Sequence, residues 1–301
     1  MEGAAMPEQS PQVSVITPTY NRADFLMTAI ESVQAQTFDN WEMLIVDDGS
    51  TDDTAELVSS YATKDSRIRY FRQPNQGQSV ARNRALEHAR GEFVCFLDSD
   101  NAWIPEKLGS QLAVFRESPE VDVVYGDIIT INEAGKEISR ANMQRYSGFI
   151  TLQMLKDNCV SMNTAMARRQ CFDEMGGMSG QRRVADDYDL WLRFSARYRF
   201  RYIPEFLAYY RVMENQISSD KTARFDTNEA IIRDFREAYP EALSNPEFNQ
   251  AFAFFYTRKG RYLATKGDLR GALRNITRAL LYSPLSWAPW RGLAAVVLKR
   301  R

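Results

Sequence analysis

Four short strand-like runs, each leading through a polar turn into a segment of helical period, constrain this chain more than any other feature. Val13-Ser-Val-Ile-Thr17 stops at Pro18, residues 41–46 stop at Asp47-Asp48-Gly49-Ser50, residues 67–71 precede Gly77, and residues 93–97 stop at Asp98-Ser99-Asp100. Phe93 to Leu97, apolar throughout, is too short for a free-standing helix and suits a strand buried on both faces of a parallel sheet. Between the first two runs, Phe25, Leu26, Ala29, Ile30 and Val33 recur at helical spacing. Further helices are expected from a Ser50 or Thr51 cap through about Tyr61, from Gly77-Gln78 through His88, and over residues 105–116. Strands alternating with such helices form βαβ units with right-handed crossovers, so the expected fold is α/β on a mostly parallel sheet. Exit loops of such a sheet share one rim, where ligands bind. Tyr20, Asp48, Gly77, Asp98 and Asp100 are therefore expected at a common crevice.

Asp98 and Asp100 flank the small Ser99 where a buried strand emerges. Two close carboxylates raise each other's energy unless a cation joins them. A hard divalent ion such as Mg²⁺ or Mn²⁺ accepts a pair of carboxylates and completes its shell with phosphate oxygens and water. This pattern reads as a metal-diphosphate site or as an acidic turn capping the helix that opens at Pro105.

After a strand over residues 121–131, closed by the turn Asn132-Glu-Ala-Gly135, the alternation loses its regularity, as a mixed sheet would require. Val184-Ala-Asp-Asp-Tyr-Asp-Leu-Trp-Leu-Arg193 reads as a loop entering an amphipathic helix with Leu190, Trp191 and Phe194 toward the core. Asp186 and Asp189 are read as ordinary partners of the helix dipole. Residues 198–203 and 206–212 read as two strands. Helices follow over residues 222–239, 246–266, 268–282 and 285–301; the Gly267-Asp268 turn and Ser283-Pro284 give the third a tetratricopeptide-like character, with fewer than two repeats. The expected division is a disordered 1–12, a domain over 13–220 and a helical region over 221–301.

The formal charge of −1 argues against nonspecific nucleic-acid binding, but it is unevenly spread. From Tyr256 to Arg301 there are eleven Lys and Arg against the single acid Asp268, a net +10, which leaves −11 on residues 1–255. With Trp287, Trp290 and Lys299-Arg300-Arg301, this tail suits either an anionic membrane surface or a solvated helical face. Cys95, Cys159 and Cys171 show neither pairing nor metal-ligand spacing, which favours a reducing compartment. No signal-peptide order opens the chain and no 18 apolar residues run together, so a cytoplasmic protein, soluble or peripheral on the inner membrane face, is expected.

Taken together, the ordered motifs resemble the family 2 glycosyltransferases, inverting enzymes of GT-A fold. Val13-Ser-Val-Ile-Thr-Pro-Thr-Tyr-Asn-Arg22 is similar to that family's opening strand and loop, and Leu44-Ile-Val-Asp-Asp-Gly-Ser-Thr-Asp-Asp53 to its second. Asn75-Gln-Gly77 with Ala81-Arg82-Asn83, the DxD motif Asp98-Ser99-Asp100, and Asp186-Asp187-Tyr188-Asp189-Leu190-Trp191 complete the set. The resemblance implies a nucleotide-sugar donor, with UDP-sugar expected, and a saccharide or lipid-linked saccharide acceptor in envelope polysaccharide assembly. It implies that Pro18 and Tyr20 line the base, that Asp48 accepts from the base ring N–H, that Arg82 lies near the diphosphate and that Ser99 belongs to the donor site. Asp100 is the implied direct metal ligand for Mn²⁺ or Mg²⁺, Asp98 binds ribose or the metal's waters, and Asp187 is the implied general base. Met213 stands where members often carry a histidine. Two other readings remain: a sugar nucleotidyltransferase, which would need a basic phosphate loop where Thr17-Pro-Thr-Tyr-Asn21 stands, and a non-catalytic scaffold, which would be expected to lack Asp98, Asp100 or Asp187.

Overall fold

The first run forms β1 (Val13–Thr19), buried along its whole length and paired in parallel with β2 (Trp41–Asp47) on one side and β4 (Phe93–Phe96) on the other. The β4 pairing ends at Ile16, so Pro18, which has no N–H to donate, lies beyond it and loses no ladder bond. β3 (Ile68–Arg72) extends the parallel half beyond β2. The crossovers are α1 (Ala23–Gln34), α2 (Thr54–Ala62) and α3 (Gln78–His88), with α1 burying Leu26, Ala29, Ile30 and Val33. The structure, a computed structural model, describes residues 10–140, 145–180, 184–213 and 221–298. Of the expected disordered N-terminus, residues 1–9 lie outside these; Gln12 is ordered, its N–H donating to Asn40 O and its carbonyl accepting from Phe93 N.

The second half is mixed. β5 (Ala102–Trp103) and α4 (Lys107–Glu117) lead to β6 (Val123–Ile131), which pairs antiparallel with β7 (Glu137–Arg140) beyond the Asn132–Gly135 turn. α5 (Thr151–Lys156), β8 (Met166–Arg168) and α6 (Arg169–Met175) precede α7 (Asp186–Ser195). One strand, β9 (Phe200–Arg211), replaces the two expected. Its register against β6 shifts between Tyr125 and Asp127, so that Ile203, Pro204 and Glu205 bulge opposite Gly126. The bulge tolerates Pro204 within a strand, and Gly126 is needed beneath it because a Cβ there would meet Glu205 O at 2.6 Å. The strand order is β3-β2-β1-β4-β8-β6-β9-β5, with β7 on β6. This is the α/β sheet expected from the sequence, flanked by helices.

Four helices follow: α8 (Lys221–Ala238), α9 (Asn245–Thr265), α10 (Leu269–Tyr282) and α11 (Trp287–Leu298). Ile231, Ile232 and Phe235 of α8 and Phe248, Phe252 and Tyr256 of α9 belong to the same apolar core as Trp191 and Phe194 of α7. The core therefore runs unbroken across residue 220. Asp268 caps α10 by accepting from Gly271 N at 2.8 Å. Among the described residues, no helix is long and apolar enough to cross a membrane.

Candidate functional site

The exit loops of β1, β2 and β3 are stapled together by side chains. Asn21, at φ +50, donates its N–H to Ser50 Oγ at 2.9 Å and accepts from Thr51 N at 2.8 Å. Ser50 is thus occupied with β1's loop and does not cap α2; that helix starts at Thr54, whose N–H and hydroxyl both donate to Asp52 Oδ1. Gly49 makes the crossing possible: at φ +86, with Asn75 N 3.0 Å from where a Cβ would sit, only glycine fits without strain. Asp48 is buried and draws in the third loop, accepting from Gln73 Nε2 at 2.8 Å, Gln76 N at 2.9 Å and Gly77 N at 2.7 Å. A carboxylate has roughly four lone-pair sites, so Asp48 retains acceptor capacity beyond its loop contacts. Tyr20 stands exposed at the tip of β1, while Pro18 is buried within the strand.

Arg82 of α3 is the hub of the crevice. Its side chain is 3% exposed; Nη1 donates to Asp186 Oδ2 at 2.6 Å and Nη2 to Asp98 Oδ1 at 2.5 Å. The flanking carboxylates raise its pKa still further, so it stays charged despite burial. One guanidinium therefore joins the end of β4 to the start of α7, two elements that the chain separates by some ninety residues. Gln78 and Ser79, in the first turn of α3, donate to Asp186 as well, at 3.2 and 2.9 Å. The sequence suggests an ordinary helix-dipole partner at Asp186, and the structure corrects this: Asp186 is a buried anchor for α3, held by Gln78, Ser79 and Arg82. Asp189 pairs with Arg193 at 3.0 Å along α7.

The second oxygen of Asp98 accepts from Asn163 Nδ2 at 2.8 Å, and Asp98 N donates back to Asn163 Oδ1 at 2.8 Å. Asn163 is buried in the irregular stretch between α5 and β8, and no pattern in the sequence marks it. Ser99 is buried between the two aspartates. Burial pushes the Asp100 carboxyl up to about 6, the charge of Asp98 adds to the rise, and Arg22 and Arg211 oppose it. Arg211, at the end of β9, holds this turn by donating to Asp100 O at 2.9 Å and, through its backbone N–H, to Asn101 Oδ1 at 2.8 Å.

These residues fit a divalent ion. The donor set is oxygen-only, Asp98 is oriented on both oxygens, and Asp100 is raised first by burial and then by the charge of Asp98, both of which a bound cation would offset. Asp100 with Asp98 would hold it. Groups of three or more ligating side chains are absent among the described residues, so the rest of the shell would come from water and ligand.

Across the Arg82 bridge, Asp187 opens α7 behind Ala185, which adopts the left-handed region at φ +61. Burial pushes the Asp187 carboxyl up to about 6, with Asp186 adding to the rise and Arg224, the Tyr188 N–H and Arg82 opposing it. Asn158 Nδ2 donates to Asp187 Oδ2 at 2.9 Å. A carboxylate with one oxygen fixed, and a proton affinity near neutrality, has the properties of a general base. Met213 lies just past β9, and residues 214–220 fall outside the described residues.

A strand-edge crevice with an acidic pair at the exit of β4 and a second at the head of an amphipathic helix defines a nucleotide-binding α/β fold of GT-A type. Residues 14–187 match the family described as Glycosyl transferase family 2, and the chain belongs to it. It is 38% identical over 186 residues to an uncharacterised glycosyltransferase of Rickettsia felis, covering 62% of this chain but only 30% of that protein's length. It is 34% identical over 221 residues to TuaG of Bacillus subtilis, named for teichuronic acid biosynthesis, covering 72% of this chain and 85% of that one. The fold is similar to that of residues 1–349 of S. aureus TarS, with a TM-score of 0.68 at 21% identity over 91% of this chain and 81% of that one. A mannosyltransferase from Pyrobaculum calidifontis, solved with GDP-Man and Mn²⁺, aligns with a TM-score of 0.60 at 20% identity, covering 99% of this chain and 83% of that one.

Proposed function

We propose that this protein is an inverting glycosyltransferase that moves a sugar from a nucleoside-diphosphate sugar to a hydroxyl of a saccharide or lipid-linked saccharide in envelope polysaccharide synthesis. The observation that carries this reading is the Arg82 bridge, which sets the Asp98–Asp100 pair and the Asp186–Asp187 pair on either side of one guanidinium at 2.5 and 2.6 Å. Tyr20 and Pro18 border the base, and Asp48 keeps acceptor capacity for its ring N–H while it orders the loop that carries Gly77. A divalent ion held by Asp100 and Asp98, when bound, supplies positive charge to the departing diphosphate. Arg82 fixes Asp98 and adds a buried positive charge beneath it. Asp187 takes the proton of the acceptor hydroxyl from the face opposite the donor, so the displacement is single and inverts the anomeric centre. A TarS structure contains UDP-GlcNAc and the mannosyltransferase contains GDP-Man, which supports a nucleotide-sugar donor and leaves UDP and GDP as the bases to try first.

Peripheral attachment is the proposal for the tail. Leu281, Leu285, Trp287 and Trp290 are exposed, Leu285 at 98%, and the indole N–H of Trp290 is held by Pro284 O at 2.8 Å, so the tryptophans do not disappear into the hairpin. The test of function is calorimetry with UDP and GDP in Mn²⁺, followed by a nucleotide-sugar panel scored for diphosphate release. Uptake of one nucleotide with Mn²⁺-dependent release from its sugar is expected. Silence across the panel would remove the enzyme reading and leave the fold standing.

A further inference from the structure

Where α8 and α9 meet the end of α5 and the head of α7, the structure forms an open cavity of about 510 Å³. Lys156, Lys221, Arg224, Arg258 and Arg261 line it, against the single acid Asp157. Asp157 is engaged by Arg258 at 2.9 Å. The acids that α8 could offer are engaged elsewhere, Asp226 and Glu229 each accepting from Lys259, at 2.8 and 2.5 Å. Among the described residues, Lys156, Lys221 and Arg261 have no ion-pair partner. Several cations gathered in one concave site repel one another and attract an anion.

Three further features distinguish the cavity from a merely charged surface. Phe225, Phe255 and Tyr262 give it flat apolar walls, as ligand pockets with a few placed polar groups have. Asn228 adds a neutral amide to the wall among the cations. Asn158, which also lines the cavity, donates to Asp187. One side chain therefore separates this space from the candidate base.

We propose that the cavity is an acceptor subsite for an anionic group, a phosphate ester or a carboxylate, carried by the saccharide whose hydroxyl Asp187 activates. The proposal rests on the glycosyltransferase reading and adds the chemical class of the acceptor. Lysine and arginine around the cavity hold the anion, and the aromatic walls take the ring.

The experiment is calorimetric titration of the full chain with three hexoses of one scaffold: glucose 6-phosphate, glucuronate and glucose. Each is run on the unaltered protein, on Lys221→Gln/Arg261→Gln, and on Arg270→Gln/Arg274→Gln, a pair of equal charge change on the exposed side of α10. At least one anionic hexose is expected to bind about tenfold or more tighter than glucose, to lose about that factor in the first variant, and to keep its affinity in the second, since a hydrogen bond to a charged group is worth about that much. Preference for the phosphate or for the carboxylate identifies the source of the anion. Equal binding of glucose, or equal losses in the two variants, would overturn the proposal. So would binding of anionic vesicles that is lost with Lys221 and Arg261 while neither anionic hexose binds. UDP and GDP titrations of the same preparations read the donor site separately: they are unchanged in both variants if only the acceptor proposal fails, and silent in the unaltered protein if the glycosyltransferase reading itself fails.

Discussion

The two acidic pairs of the crevice are alike in composition and unlike in origin. Asp98 and Asp100 follow a buried parallel strand, whereas Asp186 and Asp187 open an amphipathic helix. In each pair Arg82 clamps one member, Asp98 or Asp186, and the other member has its carboxyl pushed up to about 6. They differ in what the unclamped member meets. Asp100 takes no side-chain hydrogen bond among the described residues, while Asp187 accepts from Asn158 on one oxygen and feels Arg224. An undirected carboxylate beside a clamped one suits a cation, which needs several oxygens. A carboxylate directed by Asn158 suits a proton, which needs one oxygen. A single arginine thus divides four aspartates into two clamped charges and two whose proton affinity is raised.

The largest effect expected from breaking this contrast is on turnover. Asp187→Asn removes the proton acceptor and keeps the Asn158 contact, so transfer should fall by about 10²–10⁴ with nucleotide affinity held. Asp100→Asn should do the reverse first, weakening Mn²⁺-dependent nucleotide uptake in calorimetry before any rate is measured. Unchanged transfer by Asp187→Asn would place the base elsewhere and dissolve the division of labour.

Next in size is the clamp. Arg82→Met leaves Asp98 and Asp186 beside an apolar chain, and breaking a buried pair in this way costs about 3–5 kcal/mol. Urea unfolding should show that loss. Adding Asp186→Asn to Arg82→Met should recover part of it, because the second change removes one of the stranded charges. A single variant that unfolds like the parent, or a double variant with no recovery, would mean that Arg82 does not join the two motifs energetically.

How much of this was legible beforehand follows from range. The strands β1, β2 and β4 are buried along their whole length, so each appears as a largely apolar run, while β3, Ile-Arg-Tyr-Phe-Arg at the edge of the sheet, is only partly buried; the helix faces of α1 and α7 repeat every three or four residues. β5, β7 and β8 are two to four residues long, too short to display a period, and they were not expected. β9 read as two strands because Pro204 breaks its pattern, although the fold absorbs the break in a bulge. Asp98, Asp100 and Asp187 stood out from their place at the ends of elements and from the family resemblance. The roles of their partners did not, because Arg82 and Asp186 are 104 residues apart and Asn163 and Asp98 are 65 apart. Asp186 seemed a dipole acid because a sequence shows its helix and not the arginine facing it.

The smallest effect is the most discriminating, because it carries a sign opposite to intuition. An ordinary aspartate has a pKa of 3.8 and Asp187 in the folded chain has one of about 6, so folding raises its affinity for a proton. Its ionised form therefore opposes folding. The penalty is fully present above about 6 and fades as the pH falls toward 3.8, which makes this group stabilise the fold on acidification. At 1.36 kcal/mol per unit, Asp187→Asn should be more stable than the parent by on the order of 1–3 kcal/mol at pH 7.5, with the two unfolding curves converging near pH 4. The groups facing Asp187, namely Asp186, Arg224, Arg82, Asn158 and the Tyr188 N–H, are common to both proteins, so the difference isolates one carboxyl. A variant that is inactive and yet more stable would mark Asp187 as a residue kept for chemistry at the expense of the fold; a variant that is less stable at every pH would mark it as a structural acid like Asp186.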